Sequence, residues 1–571
     1  MGLNILMVAS EAYPFAKEGG LADVVGALPK FLARLGHDVR VVMPRYYSVD
    51  RELYGLRQLP GVLTVPMGIV GQMYCGVYEG RMPGTDAPVY FLEHEEYYGR
   101  SGLYEIDNKG YLDNDNRFIF LCKGGLELCK MIDFRPDVIH AHDWHTAAIP
   151  VLLNTAYRSD SHVGQAASLL TIHNIQHQGS FYEGVMDVLD VGWEHYNFLE
   201  LEKDNQVNLL KGGMYHATLL NTVSRGYVRE MQTPEYGWGL EGVVRDRAAD
   251  LYGILNGVDY DEWDPRTDPL IPANYSLEDR SGKFLCKRAV QAAMGLPERD
   301  DVPLIGIVSR LVKQKGIDVF AEAVQRILGL DVQFVMLGGG EPWAHFFFGD
   351  VAARYPDRFA CRIGYSNALA HQIEAGADFF LMPSAFEPCG LNQMYSLRYG
   401  TIPIVRATGG LDDSVENFDE SAMSGTGFKF RDLTAAALFD TVGWAVHTWY
   451  NNREAIDCLI RNGMSQEFTW KDAAAKYDEL YRLAVERKRG GGEIQAPAYG
   501  GEGMLESRVT DLEIQLTHQE RTLDELNEVV TDQQRLIRKM ERELAQVREQ
   551  LVLVAPSLNK APDEEEPPPH Y

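Results

Sequence analysis

Three cations, one carboxylate and a set of paired glycines are placed where they can handle a diphosphate leaving group. Lys17 precedes Gly19 and Gly20 in KEGGLADVVGALP, residues 17 to 29. A helix that starts after two glycines offers unpaired amides and the positive end of its dipole, and the lysine adds a full charge. Gly-Gly can equally be a relaxed entry into a helix, and this stretch alone does not decide between the two. VSRLVKQKG, 308 to 316, sets Arg310 and Lys315 just past an apolar strand, where two cations can neutralise charge gathering on a departing phosphate oxygen. RATGGLDDSV, 406 to 415, adds Thr408, Gly409 and Gly410 as a third phosphate candidate. FEPCG, 386 to 390, supplies Glu387, which can bind sugar hydroxyls or face an oxocarbenium-like centre while the amides of Gly390 and Leu391 turn toward the donor. Capping of the helix that follows is the other reading of Glu387.

Two histidine-rich strand ends accompany these groups. IHAHDWHTA, 139 to 147, carries His140, His142, Asp143 and His145; it is neither HExxH nor a cysteine site, so sugar recognition or structural hydrogen bonding outranks metal. TIHNIQHQG, 171 to 179, offers His173, Asn174, His177 and Gln178, the mixed donors and acceptors that sugar hydroxyls need. There is no GxGxxG after the first strand and no GxxxxGK[ST], which removes the main support for a dinucleotide oxidoreductase or a P-loop ATPase.

The elements that must position these residues are two series of continuous apolar strands. NILMVAS, VRVVMP, PVYFLE, DVIHAHD, SLLTIHN and HATLLNTVS form the first; PLIGIVSRL, VQFVMLGGG, FACRIGY, DFFLMPS and TIPIVRATGG form the second. Strands apolar throughout and separated by helices imply parallel sheets covered on both faces, with ligands at the carboxyl ends. The expected organisation is α/β: a first Rossmann-like domain over 1 to 260 and a second, facing Rossmann-like domain over 261 to 465. A closing helix over 466 to 489 crosses back to the first. A glycine-rich linker (490 to 503), a coiled coil (504 to 554) and an acidic, proline-rich tail (555 to 571) follow.

The coiled coil rests on seven heptads. Positions 509, 516, 523, 530, 537, 544 and 551 hold Val, Leu, Leu, Val, Ile, Leu and Leu, and only Gln519 and Gln533 are polar in the alternate seam. That period predicts self-association or pairing with a partner. With 82 acidic against 54 basic residues the net charge is −28, which disfavours nucleic acid and anionic membranes. Seven scattered cysteines, no export signal and no run of about 18 apolar residues point to a reducing cytoplasm.

Taken together, KEGGLADVVGALP, HAHDWH, TIHNIQHQG, VSRLVKQKG, FEPCGLNQMYSLRYG and TGGLDDSV resemble the bacterial glycogen synthase and plant starch synthase family over about residues 3 to 485. The resemblance implies a two-domain GT-B glycosyltransferase that moves glucose from ADP-glucose to the non-reducing end of an α-1,4-glucan with retention of configuration. It makes the first domain the acceptor side and the second the nucleotide-sugar-binding side. It makes Lys17 part of a donor and acceptor loop, Arg310 and Lys315 the phosphate cations, and His173 and Glu387 the groups beside the reacting glucose. It makes Asp23, Asp143 and Asn174 polar support, and Tyr365 a neighbour of the base. For retention it favours same-face attack assisted by the leaving phosphate over a covalent carboxylate. Glu18, between Lys17 and Gly19, departs mildly from the family's commonest opening. No resident cofactor and no metal are implied. The segment from Met504 resembles the small SlyX-like coiled-coil proteins. The competing readings are a related transferase using UDP-glucose or another acceptor, and a non-catalytic glucan-binding scaffold.

Overall fold

A computed structural model describes residues 2–106 and 109–490. The linker past Gly490, the heptads and the acidic tail lie outside the described residues.

The first lobe is built on β1 (Asn4–Val8), α1 (Gly20–Arg34), β2 (Asp38–Pro44), β3 (Gln72–Arg81), β4 (Pro88–Glu93), α2 (Asn114–Met131), β5 (Val138–His142), β6 (Ala167–Ile172), β7 (Leu219–Thr222), α3 (Arg225–Glu230) and β8 (Leu251–Gly253). Every residue of β5 and β6 is buried, as continuous apolar strands covered on both faces must be. The strand order β8-β7-β6-β5-β1-β2-β4-β3 places β1 between β5 and β2, with Val8 beside Ala141 on one side and Val42 on the other. The chain steps away from β1 in opposite directions to reach its two neighbours, which leaves a crevice above their carboxyl ends. The loop bearing Lys17 and the turn bearing Asp143 both open into it. Strand β3 runs antiparallel to β4 and pairs on its other side with the short strands Arg57–Gln58 and Leu63–Pro66. Its mix of exposed and buried residues hides it from a search for apolar runs.

The second lobe holds β9 (Leu304–Val308), α4 (Ile317–Ile327), β10 (Gln333–Gly338), β11 (Phe359–Ile363), α5 (Asn367–Gly376), β12 (Phe379–Met382), α6 (Asn392–Arg398), β13 (Ile402–Arg406), α7 (Gly409–Ser414) and β14 (Phe428–Phe430). All six strands are parallel in the order β11-β10-β9-β12-β13-β14. Direction reverses between β9 and β12, so the loops carrying Arg310, Lys315 and Glu387 emerge side by side.

A last helix, α8 (Trp470–Arg489), returns to the first lobe, whose apolar core takes in Trp470, Ala474, Tyr477 and Tyr481. Thr469 caps it by accepting the Asp472 N–H at 3.1 Å. The two chain crossings between lobes lie together: Val258 N–H donates to Phe468 C=O at 2.7 Å, which pairs them into one strap.

Candidate functional site

The first-lobe half is organised by a residue that motif spacing did not single out. Glu11, 4% exposed, accepts the backbone N–H groups of Glu18 (2.6 Å) and Gly19 (3.0 Å) on one carboxylate oxygen. Its other oxygen accepts the Tyr104 hydroxyl. A side-chain anion thus moulds the Lys17 loop from beneath, using amides that would otherwise be unpaired. Neither Gly19 nor Gly20 has a positive φ, and a Cβ at either would meet nothing within 4 Å. The glycines therefore keep the space above the start of α1 open rather than relieve strain. Lys17 donates to Asp23 at 2.6 Å, and its ammonium lies 5.5 Å from the Tyr13 ring centroid.

The two histidine motifs form one network with a dry and a partly open end. His140, fully buried, contacts Tyr481 of α8 at 2.9 Å through Nδ1 and Thr171 at 2.6 Å through Nε2. His145 stacks on Tyr104 at 4.6 Å. These two imidazoles are structural. Asp143, at φ 52, turns the chain out of β5 so that Oδ1 accepts the N–H groups of His173 (2.6 Å) and Asn174 (3.4 Å). Burial pushes its carboxyl up to about 7 against the pull of those two amides. The His173 ring is in contact with His142 Nδ1 at 3.1 Å, and burial drives it down to about 3, so it is neutral at physiological pH. His173 therefore acts as a fixed hydrogen-bonding group and not as a proton shuttle.

This network sets an acid limit on stability. The imidazole of His140 titrates near 3 in the fold, lowered by burial, and burial also holds His142 and His145 well below the ordinary value. On acidification the unfolded chain takes these protons first, so the contribution is complete above about pH 6.5 and is lost as pH falls toward the folded values. For His140 alone the loss at pH 5 is about 2 kcal/mol. Asp143 has the opposite sign, because the folded carboxyl takes its proton first as pH drops through about 7. Three imidazoles outweigh one carboxyl. The urea midpoint is therefore expected to fall between pH 7.5 and pH 5, and more steeply in Asp143→Asn; equal midpoints would contradict the assignment.

In the second lobe Lys315 donates to Glu387 Oε2 at 2.6 Å, and Ser384 Oγ donates to the same oxygen at 3.1 Å. Glu387 is 6% exposed. Arg310 is exposed, and among the described residues its side chain hydrogen-bonds only Gln314, at 3.3 Å. At the start of α6 the amides of Gly390 and Leu391 have no protein acceptor among the described residues, and Asn392 Nδ2 ties this turn to Val308 C=O at 2.8 Å. Thr408 and Gly409 are already engaged: the Thr408 hydroxyl (2.7 Å) and the Gly409 N–H (2.8 Å) both donate to Glu230 of α3, across from the first lobe. The Gly410 N–H donates to Glu387 C=O at 3.0 Å. Gly409 has φ 46, and a Cβ there would lie 2.1 Å from Glu387 C=O. The glycine pair thus permits close packing of two loops and of the two lobes, and Glu230 occupies the place expected for phosphate.

The two halves face each other. Arg310 acts electrostatically on Glu18 and His177. The Glu18 carboxyl is raised by burial and by Glu11 and Glu105, and Arg310 opposes the rise. Tyr365, 81% exposed, and Glu262 bear on Lys17. Beside the histidines lies a cavity of about 500 Å³ lined by Asn114, Trp144, His177, Gln178, Phe181 and Trp238. Trp238 meets Phe386, the neighbour of Glu387, edge-on at 6.1 Å. Aromatic faces with amide and imidazole donors suit a chain of sugars. Among the described residues no helix is long and apolar enough to cross a membrane.

Comparison with known proteins agrees with this geometry. Residues 4 to 246 match the starch synthase catalytic domain, 294 to 457 match glycosyl transferases group 1, and 505 to 571 match SlyX. Glycogen synthase 1 of Geobacter metallireducens is 71% identical over 498 residues, covering 87% of this chain and 99% of that protein. Glycogen synthase of Anaeromyxobacter sp. (strain Fw109-5) is 46% identical over 481 residues, 84% of this chain and 99% of that protein. The catalytic domain of starch synthase IV from Arabidopsis thaliana, solved with ADP and acarbose, superposes with a TM-score of 0.79 at 32% identity, covering 85% of this chain and all of that one. The chain belongs to the glycogen synthase family of GT-B glycosyltransferases and carries a SlyX segment after its catalytic part.

Proposed function

We propose that the chain transfers glucose from ADP-glucose to the non-reducing end of an α-1,4-glucan with retention, releasing ADP. The observation that carries this reading is the Lys315–Glu387 pair, 2.6 Å apart at the switch point of the second sheet, with Arg310 of the same sheet acting electrostatically on Glu18 of the first lobe. In a nucleotide sugar the anomeric carbon and the diphosphate are joined through one oxygen. A cation for the phosphate and a carboxylate for the glucose must therefore be neighbours. Lys315 has three N–H donors and gives one to Glu387, which leaves others for phosphate. Arg310 and the Gly390 and Leu391 amides add charge and dipole where negative charge develops on the leaving group. Hinge closure brings the acceptor hydroxyl to the donor and excludes water. His173, neutral and oriented through the Asp143 amide contacts, and Asn174 beside it hold the glucose. Lys17, on Asp23, closes over the site with Gly19 and Gly20, and Tyr365 lies by the base. The cavity by Trp144 and Trp238 takes the glucan. The Thr408, Gly409 and Gly410 loop reaches phosphate only after Glu230 withdraws.

Cationic side chains perform the charge neutralisation that a divalent metal supplies elsewhere. With glycogen, ADP-glucose and excess chelator, glucose incorporation and ADP release are expected in a 1:1 ratio at nearly full rate. Turnover that disappears and returns only with Mg²⁺ would refute the metal-independent mechanism.

The heptads of 504 to 554 support assembly through a coiled coil. Removing 504 to 571 is expected to lower the solution mass by light scattering while leaving kcat within about twofold. An unchanged mass per chain across a wide concentration range would refute assembly.

A further inference from the structure

Between β6 and β7 the first lobe makes a long excursion whose far end gathers three metal-ligating side chains unrelated to the transfer site. His195 lies in the short 3-10 turn Trp193–His195, Glu200 follows in the next loop, and His216 ends the helix Leu209–His216. His195 Nδ1 lies 2.5 Å and His216 Nε2 2.9 Å from the same Glu200 oxygen, Oε2. Glu200 Oε1 is held by Asn197 Nδ2 at 3.2 Å, which aims Oε2 at the two rings. The imidazoles meet at 67° with centroids 5.7 Å apart, so their lone pairs approach a common point from different directions. The three ligand atoms lie within 4.8 Å of one another, and no other group of this kind occurs among the described residues. In particular, the histidines of HAHDWH do not form one.

We infer that His195, Glu200 and His216 form a site for one borderline divalent cation, Zn²⁺ above all, that staples the 178 to 208 excursion to the end of the helix before β7. Two imidazoles and one carboxylate are a zinc donor set, with water filling the fourth place. Bonds of about 2.0–2.2 Å in a tetrahedron put ligand atoms about 3.3 Å apart. To admit the ion Glu200 Oε2, at 2.5 and 2.9 Å from the nitrogens, retreats by less than 1 Å, and the two ring nitrogens, within 4.8 Å of each other, settle at the same spacing. On binding, each ring moves its proton to the nitrogen facing away from the ion. For His216 that is Nδ1, on the side of the ring where the Asn154 amide donates to His216 C=O at 2.8 Å and fixes the end of the helix. His216 precedes β7 by three residues and so stands at the amino edge of the sheet, opposite the edge where His173 and Asp143 act. The cation is a structural staple and takes no part in glucosyl transfer.

The test uses the full chain after exhaustive chelation, with Zn²⁺ and Co²⁺ as probes. One equivalent of Zn²⁺ is expected to bind and raise Tm, and Co²⁺ to give the d–d bands of a tetrahedral nitrogen and oxygen site. Mg²⁺ should do neither. His195→Ala, at a partly exposed position, and Glu200→Gln, which keeps the shape and one acceptor, should each weaken Zn²⁺ by about 100-fold and abolish the Co²⁺ bands. Absence of stoichiometric uptake, or uptake undiminished in both variants, would overturn the site.

Discussion

Arg310→Ala is expected to lower kcat by about 10²–10³-fold, the cost of removing one group aimed at developing charge, while Tm stays close to that of the unaltered chain. The separation follows from where Arg310 sits. It is exposed, and its side chain's one hydrogen bond among the described residues, to Gln314 at 3.3 Å, is too weak and too solvated to hold the fold; surface changes of this kind move stability by about 0.5 kcal/mol or less. Arg310 also lies across from Glu18 and His177, so its loss should shift the titration of both. The raised Glu18 carboxyl loses a counter-charge and rises further, and His177, depressed first by burial and then by Arg310, relaxes upward. Stopped-assay kinetics with ADP-glucose, read beside thermal melts, check the prediction. A variant with near-normal kcat, or one that loses activity only because it unfolds, would show that Arg310 carries no transition-state role.

Glu387→Gln and Lys315→Ala are expected to be comparably damaging and strongly non-additive. Each removes half of a 2.6 Å ion pair whose carboxylate is 6% exposed. Lys315→Ala strands a buried charge, and breaking such a pair costs about 3–5 kcal/mol, so it should lower Tm as well as kcat. Glu387→Gln keeps the volume and the Ser384 contact and should be the milder change for stability. It nevertheless deprives the glucose of its carboxylate and frees Lys315 to bind phosphate without restraint. The signature is a kcat loss of about 10²–10³-fold with KM for the donor unchanged or lower. The double variant should lose less than the product of the single losses, because the groups act as one unit. Independent effects that multiply in full would mean that the pair seen here is incidental to catalysis.

Much of this arrangement is legible in the residues themselves. Runs such as DVIHAHD and SLLTIHN join apolar residues to polar ends because their strands are buried on both faces and stop at the carboxyl edge, and that pattern places Asp143 and His173 there from sequence alone. Arg310, Lys315 and Glu387 could be read as neighbours because they close apolar strands of one sheet. Three things could not be read. Glu11 is an isolated acid in ASEAYP, and its grip on the Glu18 and Gly19 amides depends on a turn that no local pattern announces. Glu230 lies within a helix, and its bond to Thr408 and Gly409 arises from lobe packing between residues 179 positions apart. The antiparallel strand β3 alternates too irregularly to stand out. Of these contacts only that of Glu230 is remote in sequence; Glu11 acts on amides seven and eight residues away through a turn, and β3 is hidden by its own irregular burial. Charge and geometry at the strand ends are local properties; what occupies a free amide is not.

The opening stretch KEGGLADVVGALP accordingly has two partners of its own. Asp23 holds Lys17, and Glu11 holds the loop, leaving the space over Gly19 and Gly20 for a ligand.

The most direct measurement of the central claim is glucan growth and nucleotide release with ADP-glucose and UDP-glucose side by side, using glycogen as acceptor and chelator throughout. ADP-glucose is expected to support kcat/KM at least about tenfold above UDP-glucose, a difference of about 1.4 kcal/mol at the base pocket, with one glucose added per ADP released. Equal or faster turnover with UDP-glucose would contradict the donor assignment, and nucleotide release without glucan growth would contradict the transfer itself.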